Sequence, residues 1–131
     1  MRSVNAAERF FAASQAGDHD AAVEQLSRDV VMLNPASDDP ITGRDAVAVA
    51  LRAVEAACDE FRHTHLLADP SGGQRPLFGL VFEARVGDAT LRGVDLLELD
   101  EADRISSFTV AVRPVTALMA LGARMSAPER P

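Results

Sequence analysis

The stretch RDVVMLNP, at Arg28–Pro35, marks a change in the character of the chain. Its apolar, partly β-branched run predicts a short strand over residues 30–34, and Asn-Pro ends that strand because the residue before a proline avoids the helical conformation. A polar loop then leads to ITGRDAV, at Ile41–Val47. There Thr42 is expected to cap a third helix, with Asp45 as its reciprocal partner.

The chain before this stretch is predicted to be helical. Residues near 3–16 carry apolar side chains at helical spacing, and Asn5 with Glu8 forms an N-terminal capping box. Gly17 suits the left-handed position after this helix, and Asp18 suits the cap of a second, short helix. The buried side of that short helix is assigned to Ala22, Val23 and Leu26.

The chain after the stretch is predicted to be mostly strands. The third helix covers about 43–59, strands follow at 61–68, 77–86, 89–99 and 104–113, and Pro114 opens a last helix. Gly87-Asp88 is a two-residue hairpin signal, which sets a register with Val86 opposite Ala89 and Leu80 opposite Asp95. This order predicts one α+β domain over residues 1–131, with a frayed tail at 126–131.

Composition narrows the classes of partner. The net charge of −7 and the absence of a basic run argue against nucleic acid and anionic membranes as partners. No apolar segment is long enough to span a membrane, and the N-terminus lacks the apolar region of a signal peptide. Cys58 is the only cysteine, which fits a reducing, cytoplasmic location.

Asp95 is the sharpest chemical signal. The hairpin register puts it on the face that also carries Leu80, Phe82 and Leu97, where burial would raise its pKa. Such a carboxyl group can act as a general acid, a general base or a protonated hydrogen-bond donor. The alternative is a structural aspartate bonded to backbone or to an arginine. The opposite face pairs Glu83 with Arg92 across the strands.

Three further polar side chains are weighed. His63 and His65 alternate along a strand, so both are expected on one face, and one of them can couple with Asp95 as an acid/base pair. Two histidines make half a metal site, but no third ligand is evident, so neither a metal nor another cofactor is expected. Asn34 is interpreted as a turn cap before Pro35 in preference to a ligand contact.

Taken in order, these segments resemble the SnoaL-like branch of the nuclear transport factor 2-like superfamily. The resemblance spans nearly the whole chain. It implies a cone in which helices pack on a strongly curved, mainly antiparallel sheet around an apolar pocket, and a homodimer formed through the outer sheet face. The segments that carry it are Phe10-Phe11, Ala16-Gly17-Asp18, Asp29-Val30-Val31, Gly43-Arg44-Asp45-Ala46, Gly93-Val94-Asp95, Arg104-Ile105 and Arg113-Pro114.

Enzymes of this superfamily match the chain only in part. When the chain is compared with ketosteroid isomerases, Asn34 occupies the position of their general base and Phe10 the position of the tyrosine in their oxyanion hole. Asp95 matches the aspartate that is their second oxyanion donor. Against limonene epoxide hydrolases, Asn34 matches the water-holding asparagine, but Met32 replaces a tyrosine and the last aspartate falls near Val110. Polyketide cyclases use a pocket aspartate as acid/base, a role open to Asp95.

The resemblance therefore implies a small-molecule-binding domain anchored by Asp95 and Asn34. Its ligand is expected to be apolar, aromatic, terpenoid or steroid-like. One alternative is an isomerase- or cyclase-type enzyme with Asp95 as acid/base and His65 assisting, and a second is a protein-interaction module. The expected pocket walls are Phe10, Met32, Asn34, Leu80, Phe82, Leu97, Phe108 and Val110.

Overall fold

The computed structural model describes residues 4–71 and 75–126. Ser126 is the last residue of the last helix; the rest of the predicted frayed tail and the centre of the loop after residue 71 lie outside the described residues. Within them the elements are α1 (Ala6–Gln15), α2 (His19–Val23), β1 (Leu26–Leu33), β2 (Ile41–Thr42), α3 (Arg44–Ala57), β3 (Glu60–Ala68), β4 (Leu77–Val86), β5 (Ala89–Leu99), β6 (Ile105–Arg113) and α4 (Val115–Ser126).

The strands form one curved six-stranded sheet in the order β2-β1-β6-β5-β4-β3. All neighbouring strands are antiparallel except β1 and β6, which are parallel. The hairpin of β4 and β5 has the predicted register, since Val86 pairs with Ala89 and Leu80 pairs with Asp95. The α+β prediction is confirmed, and the apolar face of this hairpin is the inner face of the sheet.

Local signals for the first two helices are also confirmed. Asn5 Oδ1 accepts a 2.9 Å hydrogen bond from the Glu8 backbone N–H, and the Glu8 side chain reaches back to the Asn5 backbone. Gly17 has a φ of 71°, the left-handed conformation that favours glycine. Asp18 then caps α2 by accepting from the Ala21 N–H at 3.1 Å.

Two predictions are wrong in detail. Leu26 does not belong to α2, because it opens β1 and pairs in parallel with Ile105, a partner that local periodicity does not show. Thr42 does not cap α3, because it lies in β2 opposite Val31; the cap position is Gly43, which has a φ of 99° and no side-chain bond. Glu83 does face Arg92, but its carboxylate bonds Arg62 of β3 at 3.1 Å.

The buried side chains fall into two apolar clusters. The larger cluster joins α1 to the inner face of the sheet and includes Phe10, Leu80 and Phe108. The smaller one lies where α4 meets the closed end of the hairpin, around Leu91 and Leu121. Residues of both clusters line the space between them, so the two packing units form the walls of one cavity.

Candidate functional site

A cavity of about 280 Å³ lies between the helices and the inner face of the sheet. All four described helices and all six described strands contribute to its walls, with the turn after α1 and the loop after β1 at its edge. Five of the predicted wall residues line it, namely Phe10, Met32, Asn34, Phe82 and Val110.

The other three predicted wall residues do not reach the cavity. Leu80, Leu97 and Phe108 each have an exposed fraction of 0% and are fixed in the larger apolar cluster. Alternation along a strand correctly gives their face. It does not show which positions along the strand a helix packs against. Because α1 belongs to the same apolar cluster as these three residues, they are covered and do not reach the cavity.

Asp95 lies on the inner face of β5, between Leu80 of β4 and Val110 of β6. It is 4% exposed and lines the cavity. Burial raises the pKa of its carboxyl group, and the hydrogen bond to His63 opposes that rise without cancelling it. Oδ2 is 2.7 Å from His63 Nε2, whereas Oδ1 has no hydrogen-bond partner within the described chain.

His63 is the buried histidine of the site. Its ring is held edge-on by Phe10, Phe61 and Phe82, with centroid distances of 6.2, 5.2 and 6.1 Å. Its Nδ1 is 2.6 Å from Ser14 Oγ, while Nε2 contacts Asp95. The three side chains therefore form a continuous hydrogen-bonded chain, Ser14–His63–Asp95, and each of them lines the cavity.

His65 does not share the face of His63, so the same-face prediction is wrong. The strand register shifts between them: His63 pairs with Phe82, but His65 pairs with Val81. The extra residue is Thr64, whose Oγ1 donates to the Val81 carbonyl at 3.3 Å. His65 is consequently exposed on the outer face, and its Nδ1 contacts only Thr64.

The polar groups at the edge of the cavity have more ordinary surroundings. Asn34 Oδ1 accepts from the Ala36 N–H at 3.0 Å, so the predicted turn cap is confirmed, and its side chain also lines the cavity. Cys58 lines the wall from α3, and burial raises the pKa of its thiol. His19 lies at the same edge, with its Nε2 buried and unpaired within the described chain.

Ser14 is the site residue that the sequence did not single out. The available signal was its position one helical turn after Phe10, where a hydroxyl group falls on an otherwise apolar helix face. What no local pattern shows is that β3 brings a ring nitrogen within hydrogen-bond distance of that hydroxyl, because the two residues are 49 positions apart.

The described residues form neither a metal-binding group nor a membrane-spanning helix. In the described parts of the chain, no three His, Cys, Asp or Glu side chains come together as a metal-binding group. None of the described helices has the length and apolar content of a membrane-spanning segment.

The sequence profile of the SnoaL-like domain matches residues 7–108. The chain belongs to the SnoaL-like domain family. Among solved structures, this SnoaL-like chain is similar to a steroid delta-isomerase from Pseudomonas aeruginosa, with 31% identity, a TM-score of 0.79 and coverage of 92% of this chain and 88% of that one. A search of curated protein sequences finds no match.

Two further structures support the fold. An uncharacterized protein with a cystatin-like fold from Silicibacter pomeroyi has 31% identity and a TM-score of 0.78, over 92% of this chain and 82% of that one. A nuclear transport factor 2-like protein of unknown function from Burkholderia pseudomallei has 18% identity and a TM-score of 0.67, over 88% of this chain and 94% of that one. These comparisons confirm the predicted family and its cone-shaped fold.

Proposed function

We propose that this SnoaL-like domain binds an apolar small molecule whose single oxygen-containing group lies against the Ser14–His63–Asp95 chain. The observation that carries the proposal is a buried His–Asp pair, 2.7 Å apart, in the wall of a largely apolar cavity. Burying two titratable groups costs free energy, and such groups in a cleft are concentrated at functional sites. Asn34, at the cavity edge, supplies a second polar anchor.

The size of the cavity narrows the ligand class. A dry cavity of roughly 150 Å³ takes up one benzene ring. The space of about 280 Å³ therefore suits a two-ring skeleton, with any larger part of the ligand extending through the open edge. A bicyclic terpenoid or a naphthalene-type aromatic fits this volume better than a fully enclosed four-ring steroid.

A second candidate function is proton transfer at carbon, as in isomerases and cyclases. Asp95 Oδ1, which has no partner among the described residues, can accept a proton from a bound ligand, while His63 holds the other carboxylate oxygen. A buried carboxyl group with a raised pKa is suited to this work. The steroid delta-isomerase relative supports the same reaction class, although Asn34 and Phe10 differ from the residues expected of that enzyme class.

A two-ring probe set tests both functions. Naphthalene, the bicyclic ketone 2-decalone and a four-ring steroid are titrated into the protein and followed by NMR, and deuterium incorporation next to the ketone is measured in D₂O. We expect the two-ring probes to bind best. Asp95→Asn should leave naphthalene binding unchanged and abolish any catalysed exchange, because an amide cannot take up the proton.

Matched controls exist for both polar residues of the pair. Asp88→Asn changes an exposed carboxylate in the hairpin turn, and His65→Asn changes the exposed histidine two positions from His63. Both should behave as wild type. Failure of every probe to bind would refute the binding function and favour an interaction module. Binding with unchanged exchange in Asp95→Asn would refute the enzyme.

The outer face of the sheet carries exposed apolar side chains, which support the proposed homodimer. Leu67, Leu77 and Leu96 are 55%, 38% and 37% exposed there, and Leu67 and Leu96 flank Gly79 on neighbouring strands. An exposed apolar patch of this kind favours a protein contact. Sedimentation should show a dimer that Leu96→Glu dissociates; a monomer at micromolar concentration would refute it.

The lone Cys58 supports a reducing, cytoplasmic location, which is part of this proposal.

A further inference from the structure

The hydrogen-bonded chain has an end that faces the cavity. Ser14 is on α1, its side chain is only partly covered, and it lines the cavity beside Phe10. Its hydroxyl can be a donor or an acceptor, whereas each imidazole nitrogen is one or the other at a given moment. The direction of the Ser14 hydrogen bond is therefore dictated by whether His63 Nδ1, at 2.6 Å, carries a proton.

Two arrangements of protons satisfy the same heavy-atom distances. In the first, Asp95 is ionised and accepts from His63 Nε2–H, so bare Nδ1 accepts the hydroxyl proton of Ser14, and Ser14 Oγ offers a ligand only its lone pairs. In the second, the pair holds one more proton and Nδ1–H donates to Ser14 Oγ. The hydroxyl proton of Ser14 then points away and can be donated to a ligand.

The added proton gives the same result at either end of the pair. If it stays on the imidazole, the ring is cationic and donates from both nitrogens. If Nε2 passes a proton to the buried carboxyl group, Asp95 becomes neutral and donates to Nε2, while Nδ1–H still faces Ser14. Burial raises the pKa of Asp95, which favours uptake of this proton by the pair.

We propose that Ser14 is the residue that meets the ligand's oxygen, and that its hydroxyl changes from acceptor to donor when the His63–Asp95 pair takes up a proton. The proposal rests on the proposed function, since it requires a small molecule in the cavity. It predicts that the same pocket prefers a hydroxyl-bearing ligand at higher pH and accepts an ether or ketone oxygen at lower pH.

Other titratable groups share the cavity wall and must be separated from the pair. In the described chain these are Asp18 and His19 from the turn into α2, and Glu55 and Cys58 from α3. The aromatic side chains packed against His63 do not titrate. His19 is the second histidine in the described wall of the cavity, so a His19→Gln variant is the essential control.

Three probes with one two-ring skeleton test the proposal. Naphthalene has no oxygen, 2-naphthol donates and accepts, and 2-methoxynaphthalene only accepts. Fluorescence titration is direct because the protein has no Trp and no Tyr. From about pH 8 to about pH 5, the range in which histidine titrates, the roughly tenfold preference for 2-naphthol over 2-methoxynaphthalene should shrink to near equality.

Variants decide whether Ser14 is responsible. Ser14→Ala should bind naphthalene as wild type does, with no preference between the two oxygenated probes and no pH dependence of their ratio. Ser14→Thr keeps a hydroxyl and should keep the pattern. Ser106→Ala removes a partly buried hydroxyl bonded to the Glu98 carbonyl, away from the cavity, and should change nothing. A pH-dependent ratio that survives in Ser14→Ala, or disappears in His19→Gln, would overturn the proposal.

A ligand-free measurement separates this proposal from the binding function. Nitrogen-15 NMR of His63 should show Nδ1 without a proton at high pH and with a proton at low pH. An Nδ1 that carries a proton throughout the range would overturn the relay. If none of the three probes binds but Nδ1 titrates as described, the binding function fails while the coupling of Ser14 to the pair stands.

Discussion

Replacing Gly93 with alanine should distort the wall of the cavity. Gly93 lies on the inner face of β5, two residues before Asp95, and pairs with Phe82 of β4. A Cβ atom added there would overlap the Ala111 carbonyl oxygen and lie 2.5 Å from Phe82 Cζ and 2.7 Å from Cε2. The Phe82 ring can avoid this overlap only by moving. The Ala111 carbonyl belongs to the backbone, so it can move only if its strand shifts with it.

The size of the effect follows from these contacts. Overpacking a well-packed core costs about 1–3 kcal/mol, and displacement of backbone argues for the upper part of that range, about 2–3 kcal/mol. With a urea m-value of roughly 1.5–2 kcal/mol/M for a small domain, the unfolding midpoint should fall by about 1–2 M. Far-UV circular dichroism follows the transition. Phe82 also packs against His63, so the chemical shifts of that ring should move as well.

Gly79 provides a matched control on the same hairpin. It lies on the outer face, and a Cβ atom there would be 3.2 Å from Val94 Cγ2, the end of a side chain that can adjust. Gly79→Ala should therefore leave the midpoint within about 0.5 M of wild type, because reduced freedom of the unfolded chain offsets the contact. Equal midpoints for the two alanine variants would refute the reasoning about Gly93.

Three further outcomes are expected. Asp95→Asn should raise the free energy of unfolding at neutral pH, and this gain should disappear below about pH 4. The reason is that the folded-state pKa of Asp95 lies above the unfolded value, so the stability of the wild type is complete in acid and falls as pH rises. A variant that melts below wild type at neutral pH would contradict this. Asp103→Asn should behave in the opposite way. Burial raises the pKa of Asp103, but the hydrogen bonds from Arg9 and the Ala6 N–H lower it by more, so the net pKa lies below its ordinary value. In paired thermal melts the variant should lose about 0.5–1 kcal/mol at neutral pH, and it should match wild type only in acid below the lowered folded-state pKa, where the wild-type carboxyl group is also protonated. Phe108→Ala, at a fully buried site, should cost about 3–5 kcal/mol in urea unfolding, and a loss below 1 kcal/mol would show that the larger apolar cluster does not depend on it.

The sequence predicts those features of the fold that depend on local chemistry. The capping box at Asn5, the left-handed Gly17 and the two-residue turn at Gly87-Asp88 are each encoded within a few residues, and each is confirmed. The turn fixes a register, and the register alone puts Asp95 on the inner face. A strong local signal at one turn thus predicts which face of the sheet carries a residue eight positions away.

The features that were missed depend on distant partners. The parallel pairing that draws Leu26 into β1 involves β6, which is nearly eighty residues later. The bulge at Thr64 is set by the match between β3 and β4, so strict alternation put His65 inside with His63. The hydrogen bond of Ser14 likewise needs the tertiary fold. Sequence reasoning therefore found the acid of the site, left its histidine partner open between His63 and His65, and missed Ser14.

Because of the bulge at Thr64, the side chains of β3 that face the interior depend on the number of residues in the strand as well as on their types. Because it reverses the alternation of β3, Leu66 faces inward opposite Leu80 while Leu67 is exposed. If the same β3 paired without the bulge, Thr64 would lie opposite Val81 and His65 opposite Leu80, next to Asp95 on the adjoining strand. The bulge therefore decides which of the two histidines on β3 can reach the buried carboxyl group.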